Sequence, residues 1–141
     1  MLKISTRGQY ALLIMTSLAE QDPEKFIPLK ILSHRHNLST KYLEQILIQL
    51  SKSGLVMGVR GSNGGYKLTK SSAEYSVGEI LRSTEGEITV HSNGDGKTVS
   101  NVGNDFFWQD FDAKVNNYLD SMSLQFLVEK NKEFVGFDYC I

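Results

Sequence analysis

Between residues 38 and 69 the hydrophobic period changes once and abruptly, and that change limits the fold more than any other feature. Leu43, Ile46, Leu47 and Leu50 recur at helical spacing, the apolar stripe of a helix capped by Ser39 and stopped by Gly54. Leu55-Val56-Met57-Gly58-Val59 and Tyr66-Lys67-Leu68-Thr69 then read as two strands. They flank Arg60-Gly61-Ser62-Asn63-Gly64-Gly65, a turn-rich and positively charged hairpin tip.

Upstream, Ser5 and Thr6 can cap a first helix running to about Glu20, with Tyr10, Leu13, Ile14 and Leu18 on its apolar face. Pro28 opens a short second helix that turns Leu29 and Leu32 inward and stops near Asn37, a residue that tolerates the left-handed conformation. Downstream, Ser76-Val77-Gly78-Glu79 reads as a capping box opening a helix with Ile80 and Leu81. Residues from Glu85 to about Asn104 read as loop. A long amphipathic helix follows, with Phe107, Phe111, Val115, Leu119 and Met122 on one side, widened by Trp108 and Tyr118. Ser123 caps a further short helix before an aromatic tail from Phe134 to Ile141.

The order helix, short helix, tight turn, helix, hairpin is that of a winged helix-turn-helix. The predicted fold is mainly α with a small β-hairpin wing and a long C-terminal dimerisation helix. Residues 1–84 form the DNA-binding head, and 85–141 the loop, dimerisation helix and tail. The major groove of duplex DNA admits an α-helix, so the helix after Ser39 is the reader. Ser39, Thr40, Lys41, Tyr42, Glu44 and Gln45 occupy its outward positions. Gln can pair with adenine, Glu can accept from cytosine N4, and lysine and hydroxyls suit phosphates or base edges. Glu44 either reads cytosine or excludes unwanted sites. In the wing, Gly61 and Ser62 allow close approach to the backbone, and Arg60 suits an electronegative minor groove. Ser5, Thr6 and Arg7 place free N–H groups and a positive helix end where a phosphate could sit.

Net charge of −1 argues against this only on average. Residues 1–70 hold ten Lys or Arg against four Asp or Glu, whereas 71–141 hold five against twelve. A basic half joined to an acidic half fits a phosphate-facing surface beside a part with another task. The single cysteine, Cys140, excludes an internal disulfide and fits a reducing compartment. No apolar run reaches the roughly 20 residues of a membrane span, so a cytoplasmic protein is expected.

No catalytic constellation is evident, and an enzyme is not expected. The glycine-rich tip lacks the Lys-Ser/Thr and following helix of a phosphate-binding loop. His34 and His36 diverge on a helix, and His91 has no obvious partner in sequence, so no metal site is expected.

Ile4-Ser5-Thr6-Arg7-Gly8-Gln9-Tyr10-Ala11, Leu38-Ser39-Thr40-Lys41-Tyr42-Leu43-Glu44-Gln45, and the run from Gly54 to Leu68 containing Arg60-Gly61-Ser62-Asn63-Gly64-Gly65-Tyr66 resemble the Rrf-type family of bacterial winged-helix regulators. Ser76-Val77-Gly78-Glu79-Ile80 and Glu85-Gly86 match it too, so the likeness covers nearly the whole chain. The resemblance implies a homodimer whose long helices pair through Phe107, Phe111, Val115, Tyr118, Leu119 and Met122. It implies double-stranded DNA with an imperfect palindrome as the partner, the Ser39 helix in the major groove and Arg60 in the minor groove.

Iron–sulfur members of that family carry three cysteines before the long helix. Here Ile88 to Asp105 contains none, and Val102 stands where one would fall. Thiolates hold such clusters, so no cofactor is expected. The likeness is greatest to the cluster-free repressors of cysteine metabolism, which implies control of cysteine or sulfur genes. Their tail likewise ends in an aromatic-rich segment closing with isoleucine, which implies the cysteine synthase CysK as a partner of Tyr139, Cys140 and Ile141. A free carboxylate beside a branched side chain suits a pocket that captures C-termini; alternatively Phe137, Tyr139 and Ile141 pack on the dimer. Two further readings stay open: a stress regulator sensing through oxidation of Cys140, and a winged helix used only for protein contacts.

Overall fold

A computed structural model describes residues 3–91 and 101–139, and the side chains of these up to Phe134. Helix α1 spans Thr6–Ala19, α2 Leu29–His36 and α3 Thr40–Lys52. Strands β1 (Val56–Val59) and β2 (Gly65–Leu68) form an antiparallel hairpin in the register Val56 to Leu68 and Val59 to Gly65. A short 3₁₀ turn over Ser72–Glu74 leads to α4 (Val77–Glu85), α5 (Val102–Ser121) and α6 (Leu124–Tyr139). The architecture is the expected one, mainly α with a hairpin wing.

Local chemistry sets the boundaries. The Ser5 hydroxyl accepts from the Gly8 amide and the Ser39 hydroxyl from the Tyr42 amide, so each satisfies a donor that the helix start leaves free. Asn37 adopts φ 52° and ψ 45°, the left-handed turn that separates α2 from α3. Ile27 exchanges backbone hydrogen bonds of 2.8 and 2.9 Å with Tyr66, joining the approach to α2 to the wing. That crossing requires Gly65, because a Cβ there would stand 2.2 Å from the Ile27 carbonyl oxygen. The reciprocal capping box lies at Ser71 and Glu74 rather than at Ser76 and Glu79. Ser76 still accepts from the Glu79 amide, but the Glu79 carboxylate turns to Lys70 at 3.2 Å.

One core unites the head. Ala11, Ile14, Met15 and Leu18 of α1 pack with Leu32, with Leu43, Ile46, Leu47 and Leu50 of α3, and with Val56, Tyr75 and Ile80. Leu13, expected on the buried face, is exposed; Ala11 and Met15 complete the stripe instead. Leu124 of α6 is fully buried in this same core, and its amide donates to the Tyr75 carbonyl at 3.0 Å. The boundary drawn at residue 84 therefore parts α6 from the elements it packs against. Helix α6 is also longer than expected, running as backbone past Phe134 to Tyr139 where the sequence reads as tail.

Helix α5 does not present a single continuous face. Leu119 and Met122 turn inward against a second cluster of Val77, Leu81 and Ile88, whereas Phe107, Phe111 and Tyr118 stay exposed. Residues four apart drift by about 40° per step on a helix of 3.6 residues per turn. Phe107 and Leu119, three such steps apart, consequently look in different directions.

Candidate nucleic-acid interface

Helix α3 is buried along Leu43, Ile46, Leu47 and Leu50, which leaves the opposite side for a partner. Ser39, Thr40, Lys41, Glu44 and Gln45 are all exposed, as expected. Tyr42 is half-buried, its ring edge-on to Tyr10 at 6.0 Å, so it packs α1 against α3 as much as it faces outward.

Arg7 is half-buried in the first turn of α1. Its guanidinium forks onto α3, donating through Nη2 to Gln45 Oε1 and through Nη1 to Gln49 Oε1, each at 3.0 Å. Its Cζ lies 5.9 Å from the Tyr42 ring centre. The α1 N-terminus already holds an anion from the chain itself. The Glu85 carboxylate accepts from the Ser5 amide at 3.0 Å and from the Ser5 hydroxyl. The positive helix end therefore ties α4 to α1, and the phosphate expected there meets a carboxylate.

At the wing tip Arg60, Gly61 and Ser62 are exposed. The turn closes through the Gly64 amide, which donates to the Gly61 carbonyl at 3.0 Å. A Cβ on Gly64 would lie 2.1 Å from the Val59 carbonyl oxygen, so the tip can be this tight only with glycine. Between the last turns of α3 and the wing runs an open groove of about 280 Å³, lined by Ile48, Ser51, Lys52, Gly58 and Arg60. Ser51 and Lys52 were missed in the sequence. The signal was present: both lie beyond Gln45 on α3, outside its apolar stripe and next to the hairpin.

His91 has a partner that the sequence concealed. Its Nδ1 lies 3.0 Å from Asp112 Oδ2, and its ring stacks on Trp108 at 5.6 Å. The Val90 amide donates to Asp112 Oδ1 at 2.5 Å, and Asn116 donates to the Ile88 carbonyl. These contacts clamp the segment after α4 onto α5. Burial, aided by Arg35 and opposed by Glu20, lowers the pKa of His36 from 6.5.

On α5 the rings of Phe107, Trp108 and Phe111 form an aromatic cluster with centres 4.9 to 6.3 Å apart. Phe107, Phe111, Val115 and Tyr118 line an open depression beside the Asp110–Lys114 ion pair. Four of the six residues expected at a subunit contact thus share one open face, and Leu119 and Met122 do not. Of the expected tail site, Tyr139 ends α6 as backbone, and Cys140 and Ile141 lie outside the described residues.

A tight helix-turn-helix whose second helix is open along one side, beside an arginine-bearing hairpin, defines a winged-helix DNA-binding transcription regulator. The family model described as Rrf2, iron-dependent transcriptional regulator, matches residues 4–130, and the chain belongs to that family. The chain is similar to the HTH-type transcriptional regulator IscR of Pectobacterium carotovorum subsp. carotovorum (strain PC1), with 32% identity over 136 residues, 94% of this chain and 82% of that protein. Among solved structures it is similar to CymR (YrzC), the global cysteine regulator of B. subtilis. The TM-score is 0.82 at 35% identity, covering 92% of this chain and 98% of that one. It is similar also to T. potens IscR, with a TM-score of 0.76 at 34% identity over 94% of this chain and 90% of that one.

The donors among the described residues do not fit the iron in the family description. No group of three or more His, Cys, Asp or Glu among the described residues could hold a metal ion. An iron–sulfur cluster is held by several thiolates, and Cys140 is the single cysteine of the sequence. No helix among the described residues is long and apolar enough to cross a membrane.

Proposed function

We propose that this chain is a homodimeric repressor that binds a palindromic operator in the cytoplasm and controls genes of cysteine or sulfur metabolism without an iron–sulfur cluster. The observation that carries the reading is the open side of α3, with Thr40, Lys41, Glu44 and Gln45, set beside the exposed Arg60 of the wing. In it, α3 enters the major groove, Arg60 with Gly61 and Ser62 reaches the minor groove, and Ser51 and Lys52 face the backbone between. The exposed Phe107, Phe111 and Tyr118, a contiguous apolar patch, support dimerisation. Similarity to the B. subtilis cysteine regulator supports the choice of genes.

The signal is proposed to arrive through a protein partner, the cysteine synthase CysK, captured by Tyr139, Cys140 and Ile141. Footprinting on genomic DNA, with and without CysK and O-acetylserine, tests all three parts. Protected paired half-sites near sulfur genes, with protection altered by CysK and O-acetylserine, are expected. Absence of any footprint contradicts DNA binding; a footprint indifferent to CysK contradicts only the partner. Deleting Tyr139 to Ile141 is expected to remove CysK binding and to leave dimerisation intact.

A further inference from the structure

We propose that Arg7 is a positioning residue that sets the hydrogen-bonding sense of Gln45, so that Gln45 selects a base rich in major-groove acceptors, guanine before adenine. The proposal rests on the reading above that α3 lies in the major groove.

A guanidinium has only donors, whereas a glutamine amide has one accepting oxygen and one donating nitrogen. The two 3.0 Å contacts from Arg7 therefore fix which way each amide points: Oε1 of Gln45 and of Gln49 faces the guanidinium, and Nε2 faces away. Gln45 and Gln49 are four apart on α3, one above the other, so one planar fork spans both. Tyr42 beneath the guanidinium, itself braced by Tyr10, limits its swing.

Gln45 is exposed at the end of this chain of contacts. Its free Nε2 group offers donors to the groove. Guanine presents two acceptors there, N7 and O6, and adenine one acceptor and one donor. The paired adenine contact needs glutamine to accept from N6 and donate to N7 together. Here Arg7 holds one of the two lone pairs of the accepting oxygen and fixes the amide with that oxygen toward α1. The adenine contact must share an oxygen turned toward the arginine, whereas guanine needs only the outward Nε2 donors. Glutamine in general can pair with adenine; the fork turns this one toward guanine.

The test selects operators from a random duplex library with the full chain, then measures affinity for all four base pairs at each half-site position. Wild type should favour guanine over adenine about tenfold at one position per half-site, within the range of a paired base contact. Gln45→Ala should erase that preference alone. Arg7→Met, checked by thermal melting to be folded, should narrow or reverse the preference at that position and preserve discrimination elsewhere. If Arg7→Met instead weakens every duplex by one common factor, Arg7 is only a phosphate or structural contact and the proposal is overturned. If Gln45→Ala leaves all preferences unchanged, Gln45 reads no base and the proposal is overturned while α3 keeps its groove; a wild type with no base preference at any position contradicts the groove placement itself.

Discussion

The Tyr75 hydroxyl donates to the Leu55 carbonyl at 2.8 Å and accepts from the backbone amides of Thr69 at 2.8 Å and Lys70 at 3.0 Å. One buried side chain thus joins the start of the wing to its end. Tyr75→Phe would leave the Leu55 carbonyl in the core without its donor. A buried unmet partner costs about 1–3 kcal/mol. Urea denaturation should show a loss of about 2 kcal/mol, and the Thr69 and Lys70 amides should exchange faster in hydrogen exchange. Unchanged stability would mean that the wing root is held by the hairpin ladder alone.

His36 gives stability a pH dependence with a definite sign. Burial, with Arg35 adding to it against the pull of Glu20, lowers the pKa of the folded form below 6.5. Above 6.5 both folded and unfolded forms are neutral and the term vanishes. As pH falls below 6.5, the unfolded chain takes the proton first, so stability declines toward the lower folded pKa. His36→Gln should flatten the decline below pH 6.5 in a series of chemical denaturations. An equally steep decline in the variant would assign the effect to other groups.

Phe111 lies at the centre of the exposed aromatic face of α5. Phe111→Glu should weaken subunit association by ~2 kcal/mol or more, the scale of a central aromatic anchor. Sedimentation equilibrium should show a dimer for wild type and a monomer for the variant, with helical circular dichroism retained. Leu119→Ala should act instead on folding stability, by about 1–2 kcal/mol, less than a fully buried leucine would cost, because Leu119 packs half-buried against the second cluster of its own chain. A dimer unaffected by Phe111→Glu would place the contact elsewhere.

Much of this was legible because local chemistry and tertiary packing agree. Ser39, Asn37 and Gly64 have the side chains, or the lack of one, that their backbone positions need. The stripe of α3 was readable because all four apolar residues go to one core. What escaped depends on distant pairings. Nothing near Arg7 foretells that it forks onto Gln45 and Gln49, 38 and 42 residues away. Glu85 reaches across 80 residues to Ser5, and His91 meets Asp112 only because α5 folds back. The division of the α5 stripe was hidden for another reason: an i, i+4 series looks like one face in sequence and winds around the helix in space.

The most direct test of DNA reading by α3 and the wing is equilibrium binding of wild type and Arg60→Ala to a selected operator and to a scrambled duplex, across salt concentrations. The operator should be bound about 10³-fold or more tightly than the scrambled duplex. The logarithm of affinity should fall linearly with the logarithm of salt as counterions are released. Arg60→Ala should cost the operator complex about 1–3 kcal/mol. Equal affinity for operator and scrambled duplex, or an Arg60→Ala variant that binds as well as wild type, would contradict the account.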